Sequence, residues 1–539
     1  MPLVPLTTPP GLYKNGTPYQ KKGRWIDGNL IRFRDNAVEN IGGWAVRAAP
    51  LISANVDAGT PSLILPDFID GGTPSSVYPY VDGGGVRIPP PGGLILSEEL
   101  EAVRDMFAWR SLAQDQHLVT GSNLRLLHIS QLGRVTDITP AGATQTSKDP
   151  LFVAGYGRNP YNTGAYGVAN TLVASDPLPP VRWVFDTFGE VLLFGQTNFG
   201  QMYELNLSTL SVAPVANAPN SFADVVVTDQ RIVMTIGANG LPRSIKWSDQ
   251  ENRTVWAPTV SNQAGDFTLP GTGKLMRGIS YRGQVLIISE NDAYVASYIG
   301  APYVFGFNMV GRDCGPACPQ AVVGTDKFVV WWSVDKFWLY SGDLTPLNCE
   351  VIEYLQEDVN RDYVSKISTV VMSRFSEVWW FYQSKRSDEV DSYVKWNYQT
   401  NVWDTGRLRR TAGIDEGVIQ YPTMITPDGN LMMHEYPGVY PDGEVFVETG
   451  VLEMASGEVN LALRALYLDT DTFGEVEVIA FVKQFPTGPE SMVGPYEYNN
   501  PTPMRVMGRE VRLLFNRVGN ELRIGEMRAD VAPQGTGRR

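Results

Sequence analysis

The feature that most constrains this chain is a unit that returns along most of its length. A short β-branched or aromatic run is followed by a tight polar turn and a second such run, the pattern of antiparallel strands. It is clearest in Tyr281–Gly315, where Val285–Ile288 leads into Ser289-Glu290-Asn291-Asp292 and then Ala293–Tyr298. Gly300 and Pro302 break that second run before Tyr303-Val304-Phe305. Strand cores begin near Leu118, Val191, Ile232, Val285, Phe328, Val378 and Leu431, at successive separations of 73, 41, 53, 43, 50 and 53 residues. A period of about 40–50 residues with several strands per unit is that of β-propeller blades. One blade cannot bury its own faces, so several must close radially on one another. The expected fold class is therefore all-β: an irregular β-propeller of six or seven blades, with inserted loops or subdomains and a C-terminal β-sandwich-like module.

The rhythm also sets the expected divisions. Residues 106–440 form the propeller, with a polar Gly/Pro/Asn-rich insertion at 142–180 that accounts for the longest interval. Residues 1–50 read as a β segment joining the propeller. Within it, Gly23–Trp44 contains a pair of strands with Arg32 and Arg34 on one side, a solvated face or a salt-bridged edge more often than a partner contact. Residues 51–105 change character: VDAGT, DGGTPSS, VDGGGV and IPPPGG are turn punctuation, so this stretch reads as an inserted loop or subdomain. Only Ser97–Met106 looks helical there, with Ser97 as N-cap and Glu98 and Glu99 in the first turn. Residues 441–539 alternate as hairpins in a β module closing the fold, with a flexible tail from about residue 534.

Charge excludes some functions. With 44 basic and 58 acidic residues the net charge is -14, which opposes a broad basic grip on a nucleic-acid backbone. It is compatible with a surface past which nucleic acid slides without sticking. No stretch approaches the ~18 apolar residues of a membrane span. MPLVPLTTPP lacks the basic and apolar regions of a secretory signal, and three cysteines suggest synthesis in a reducing compartment.

No chemistry-bearing constellation emerges, so no catalytic, cofactor-binding or metal-binding residue is assigned and no enzyme activity is expected. His117, His128 and His434 fall on separate strand-like positions without metal-ligand spacing. Cys314 and Cys318 form CxxxC with only Cys349 as a further thiol, and no GxSxG elbow occurs. Asp82–Gly85 lacks the ending of a phosphate loop. Trp247–Trp256, WSDQENRTVW, approaches the Asp-box of sialidase propellers but is one residue too long, and such boxes are structural turns. Asp388, Glu389 and Asp391, like Asp469 and Asp471, read as solvated turn residues rather than as an acid and nucleophile pair. Trp331-Trp332 and Trp379-Trp380-Phe381-Tyr382 are either a sugar platform or core. Adjacent rings on a strand point to opposite faces, which favours packing between blades.

Several blocks, taken in order, carry a resemblance. They are GRWIDGNLIRFRDNAVENIGGW, WSDQENRTVWAPTVSNQAGDFTL, YIGAPYVFGFNMVGRDCG, LNCEVIEYLQEDVNRDYV, FSEVWWFYQSKRSDEVDSYVKWNYQTNVWDTG and LRIGEMRADVAPQGTGRR. Together they resemble the tail proteins of short-tailed bacteriophages (podoviruses), the packaged-DNA stabilisation and tail-nozzle family. The resemblance implies a virion structural protein, made in the bacterial host cytoplasm and placed in the tail as a homo-hexameric tube. Its implied partners are the portal-adaptor connector proteins, tail fibres, spikes or needle, and viral double-stranded DNA in transient, sequence-independent passage. It also implies contact with the host outer membrane. The alternative is a tail-associated propeller lectin or polysaccharide-degrading enzyme for host-surface attachment. Residues 51–105 do not fit the family pattern; with 142–180 they are the expected sites of ring, adaptor or fibre contact.

Overall fold

The computed structural model describes residues 3–47, 101–151, 178–452, 460–470, 472–484 and 488–534. Seven four-stranded antiparallel sheets follow one another as blades. Their first strands are Val103–Arg110, Trp183–Phe188, Asp224–Val227, Leu275–Tyr281, Val322–Gly324, Ser368–Met372 and Ala412–Ile414. Each lies against the next, and Ala412–Ile414 returns to Val103–Arg110, so the ring is closed around an axis lined by these first strands. The fold is a seven-bladed β-propeller, the upper of the two blade numbers expected.

The closing strand comes from far away in sequence. Blade 7 takes three strands from residues 412–434, and its outermost strand is Trp44–Val46, paired with Leu431–His434. The expectation that residues 1–50 join the propeller therefore holds for three strand residues only. Val4–Leu6, Trp25–Asn29, Ile31–Arg34 and Ala37–Asn40 instead pair within the C-terminal module. The reason is register. Val4–Leu6 adds to the edge of Met527–Gln534, Trp25–Asn29 to Phe446–Thr449, and Ala37–Asn40 to the end of Glu510–Ile524. The C-terminal module is thus built from both ends of the chain. Its four-stranded and seven-stranded sheets share one core, with Leu463, Leu466 and Val506 from the first and Val478, Leu513 and Phe515 from the second.

That core does not stop at the module. It continues through Leu12 and Trp25 into Trp403, Phe337 and Trp332 of blades 5 and 6. A helix, Ile352–Asp358, lies between these blades and buries Leu355 in the same cluster. The tryptophan pairs behave as strand geometry requires. Trp331 joins the cluster between blades 4 and 5, and Trp332 joins the one between blades 5 and 6. Trp379 and Trp380 are fully buried as well, with indole N–H groups donated to Glu377 and to the carbonyl of Ala321.

One local expectation is corrected. Val103–Met106, read as the end of a helix, is the start of the first inner strand. Pairing of Val103–Arg110 with Gln116–Ser122 overrides the helical composition of the segment before it. Most of that segment, the bulk of the 51–105 insertion, residues 152–177 of the 142–180 insertion and the tail 535–539 lie outside the described residues.

Candidate functional site

Buried charge is concentrated in three places: along the propeller axis, across one mouth of that axis, and at the seam between propeller and sandwich. Along the axis, three inner-strand aspartates repeat one device. Asp105 of blade 1 accepts the backbone N–H of Trp183 of blade 2 at 2.8 Å. Asp186 of blade 2 accepts that of Val227 of blade 3 at 2.6 Å, and Asp224 of blade 3 accepts that of Gly278 of blade 4 at 2.9 Å. Each carboxylate satisfies a donor that the next inner strand cannot pair within its own sheet. Gly278 permits the last contact, since a Cβ there would meet Ile236 Cδ1 at 2.1 Å. Burial pushes Asp186 up to about 6 despite its two backbone hydrogen bonds, with the neighbouring Asp224 adding to the rise. Asp224 is raised too, chiefly by burial, against the pull of Arg277.

At the mouth, Arg182 spans the ring. Its guanidinium pairs with Asp105 and donates to the carbonyls of Arg104 in blade 1 and of Ser365 ahead of blade 6, each at 3.0 Å. Arg104 forms a two-pronged pair with Glu389 at 2.6 and 2.7 Å. Lys366, with no exposed side-chain surface, bonds Asp149 at 2.5 Å and the carbonyl of Asp388. Burial alone would raise the Glu389 carboxyl, but Arg104 and Lys366 outweigh it and hold it at about 2. The expectation of solvated turn carboxylates therefore fails for Glu389, because the turn that carries it folds over the axial mouth. Asp391 is also engaged, accepting from the Ser384 backbone and hydroxyl. Asp469 accepts from Thr472 and the Glu526 backbone, while Asp471 lies outside the described residues.

At the seam, Arg32 is buried rather than solvated. It pairs with Glu377 of blade 6 at 2.7 and 3.0 Å and with Glu435 beyond blade 7 at 2.8 Å, and its guanidinium lies 3.7 Å from the Phe375 ring centroid. Lys395 reaches the carbonyl of Ile31 at 2.5 Å and Asp404 at 3.3 Å. Burial works to raise Glu377, yet Arg32 and Lys395 hold it at about 2, whereas burial lifts Asp404 to about 6. Arg34, two residues on, stays exposed beside Asp35 and Glu39.

The histidines are less separate than the sequence implies. His117 Nδ1 and His128 Nε2 stand 2.9 Å apart, one ring donating to the other, with Trp109 stacked on His117. Burial lowers both, and His128, also facing His117, falls to about 4, so the pair is neutral near pH 7. His434 accepts from Arg410 Nε at 2.8 Å. Cys314, Cys318 and Cys349 are buried free thiols, and burial pushes Cys314 up to about 12. The Asp-box-like segment is a turn in which Asp249 accepts from the Gln250 and Gln263 backbones and Trp256 is buried. Among the described residues, no three His, Cys, Asp or Glu side chains converge as metal ligands.

These groups bridge strands, blades and modules, and each carboxylate described holds a backbone donor or a cation. No family model and no curated protein matches the chain. Similar solved structures include a virginiamycin B lyase from Staphylococcus aureus, aligned over 64% of this chain and 97% of that one at 8% identity and TM-score 0.39. BamB from Moraxella catarrhalis aligns over 61% and 82% at 11% identity and TM-score 0.31. The Swd1 β-propeller domain from Myceliophteria thermophila aligns over 61% and 96% at 6% identity and TM-score 0.36. At such likeness nothing about activity transfers, and the fold rests on the seven sheets themselves.

Proposed function

We propose that this chain is a structural subunit of a short-tailed bacteriophage tail, one of six copies forming the nozzle that retains packaged DNA and conducts it during ejection. The reading assigns it no reaction. What carries it is the ordered set of resembling blocks, three of which fall on the joints of the architecture while the other three lie within blades 3, 4 and 6. Gly23–Trp44 runs from the sandwich into the closing strand of blade 7, residues 347–364 hold the helix between blades 5 and 6, and residues 522–531 lie in the sandwich strands beside residues 4–6 and 37–40. The axial ion network supports one further point. Arg182, Arg104 and Lys366 tie blades 1, 2 and 6 across the axial mouth, so a DNA path belongs between copies and not through one propeller. A net charge of -14 suits such a path, because a repelling wall does not brake a polyanion.

The test is electron microscopy of purified virions with and without this protein. Six copies around an axial channel at the distal tail, with DNA leaking in their absence, are expected. DNA-filled tails carrying the protein only at the periphery overturn the reading.

A second reading, attachment to host polysaccharide, draws on a groove of about 390 Å³ between blades 1 and 2. Tyr203 and Val212 line it beside Asp137 and Gln201, an aromatic surface with polar neighbours suited to a sugar ring. Binding of the protein to host capsule, lost in Gln201→Ala, would favour that reading.

A further inference from the structure

Blade 6 holds a lysine and two carboxylates in one dry space. Lys395 and Asp404 stand directly opposite each other on neighbouring antiparallel strands, and Trp379 lies opposite Lys395 on its other side. Glu377 is two residues before Trp379, so all four side chains fall on one face of the sheet. Lys395 Nζ is 3.3 Å from Asp404 Oδ2, 3.6 Å from Glu377 Oε1 and 4.9 Å from the centre of the Trp379 ring. The side chains of Lys395, Asp404 and Glu377 are only 4%, 2% and 2% exposed. Lys366 gives the contrast: it is as deeply buried, but its partner Asp149 is 41% exposed and keeps its water. Three features set the Lys395–Asp404 contact apart from a stabilising ion pair. A buried carboxylate ordinarily accepts aligned donors, yet both Asp404 oxygens lack one, because the ammonium is close to Oδ2 but out of hydrogen-bond alignment. The lysine donates instead to the carbonyl of Ile31 at 2.5 Å. The cluster also sets two cations, Arg32 and Lys395, against three carboxylates, Glu377, Glu435 and Asp404, and burial lifts Asp404 to about 6, which makes it the one that takes up a proton.

We propose that Lys395 and Asp404 condense into an isopeptide bond, a covalent link between the third and fourth strands of blade 6. One proton moves from the ammonium to the carboxylate, which turns the ion pair into an amine and a carboxylic acid. A pocket closed to water favours these uncharged forms, and a desolvated lysine amine is a nucleophile. Nζ then attacks Cγ, the carbon that bears Oδ2. The Nζ–Cγ bond forms, the Cγ–OH bond breaks, and the hydroxyl leaves as water with a proton from Nζ. Glu377 is kept ionised by Arg32 and by the indole N–H of Trp379, and it faces the positive charge that attack places on Nζ. The amide that results keeps one N–H, and the Ile31 carbonyl is already in place to accept it. No activating reagent is needed, because groups held in contact react as if at about 10⁵–10⁸ M. The link does not depend on the function proposed above.

Mass spectrometry of the unaltered full chain is the test, first intact and then after trypsin. The intact chain is expected to be lighter than its sequence by one water. Trypsin is expected to release residues 387–407 as a single peptide, light by the same water and uncut after Lys395 because that amine is acylated. Fragmentation should place the link at Lys395 and Asp404. A folded chain at its full sequence mass, giving separate peptides 387–395 and 396–407, overturns the proposal, as does a lost water that maps elsewhere. Two variants test the roles. Asp404→Asn presents the same carbon with ammonia as the leaving group, so it should reach the parent's final mass. A folded Asp404→Asn chain that stays at its own sequence mass overturns Asp404 as the acceptor. Glu377→Gln should hold less of the link than the parent after the same time. A cooperatively melting Glu377→Gln chain linked as fully as the parent overturns the part given to Glu377.

Discussion

Arg32 shows how much of this architecture depends on one side chain. Its guanidinium is buried between Glu377 and Glu435, so removing it leaves two carboxylates without their cation inside the seam. Breaking a buried pair from one side costs about 3–5 kcal/mol. Arg32→Leu should therefore lower the unfolding free energy from urea titration by that order, with a lower midpoint, while Arg32→Lys, a point charge without the planar fork, falls in between. Midpoints equal to the parent's would refute the role. Acid titration separates two kinds of carboxylate. Glu377 and Glu389 are held at about 2, below the unfolded value, so their contribution is present above pH 4.5 and is lost as pH falls toward 2. Asp186 is the reverse case: raised to about 6, it binds its proton more tightly in the fold, so its effect on stability worsens as pH rises from about 4 to 6. Asp186→Asn keeps an acceptor for Val227 N–H without the buried charge. Its melting temperature should exceed the parent's at pH 7 and match it near pH 4. A difference that does not change with pH would show that Asp186 does not titrate in this window.

At the scale of elements, the closing strand is the sharpest case. Trp44–Val46 pairs with Leu431–His434, and the Arg47 N–H reaches the Leu431 carbonyl. By antiparallel alternation the Ala45 N–H faces Met433, so Ala45→Pro removes a closing bond. Hydrogen exchange should then quicken across Leu431–His434 and Ala412–Ile414 while blades 3 and 4 keep their protection. Unchanged exchange in blade 7 would mean that the ring is held shut without this strand. The sequence made the blades legible because each is local: strand, turn and strand lie within about 50 residues, and their apolar runs announce them. It could not reveal the closure, whose partners are some 390 residues apart in sequence and whose strand is three residues long. The axial aspartates were hidden for a related reason. Asp105, Asp186 and Asp224 each interrupt an apolar strand, a visible oddity, but their partners sit in the following blade. Glu389 was read as solvated because a turn signal says nothing about what the turn covers.

For the whole molecule, the issue is whether propeller and sandwich behave as one body. Their cores are continuous: Trp25 packs edge-on against Phe515 at 6.3 Å in the sandwich and belongs to the same cluster as Trp403 and Phe337 of blades 6 and 5. Polar ties cross the same seam, with Lys395 bonding the Ile31 carbonyl and Arg24 pairing with Glu350 at 2.6 Å. A seam with its own hydrophobic core does not open while both sides stay folded, since the exposed aromatic surface opposes it at about 25 cal/mol per Å². Calorimetry should therefore show the sandwich and blades 5 to 7 melting in one transition. Trp25→Ala, which empties a space at the centre of the seam, should cost about 3–5 kcal/mol and lower that transition as a unit. Two resolved transitions in the parent, or a Trp25→Ala variant that shifts one module alone, would mean that the modules are independent. The result bears on the proposed nozzle. In a closed ring each copy is loaded through two of its surfaces at once, and only a subunit that moves as one body passes that load around the ring without opening at its own seam.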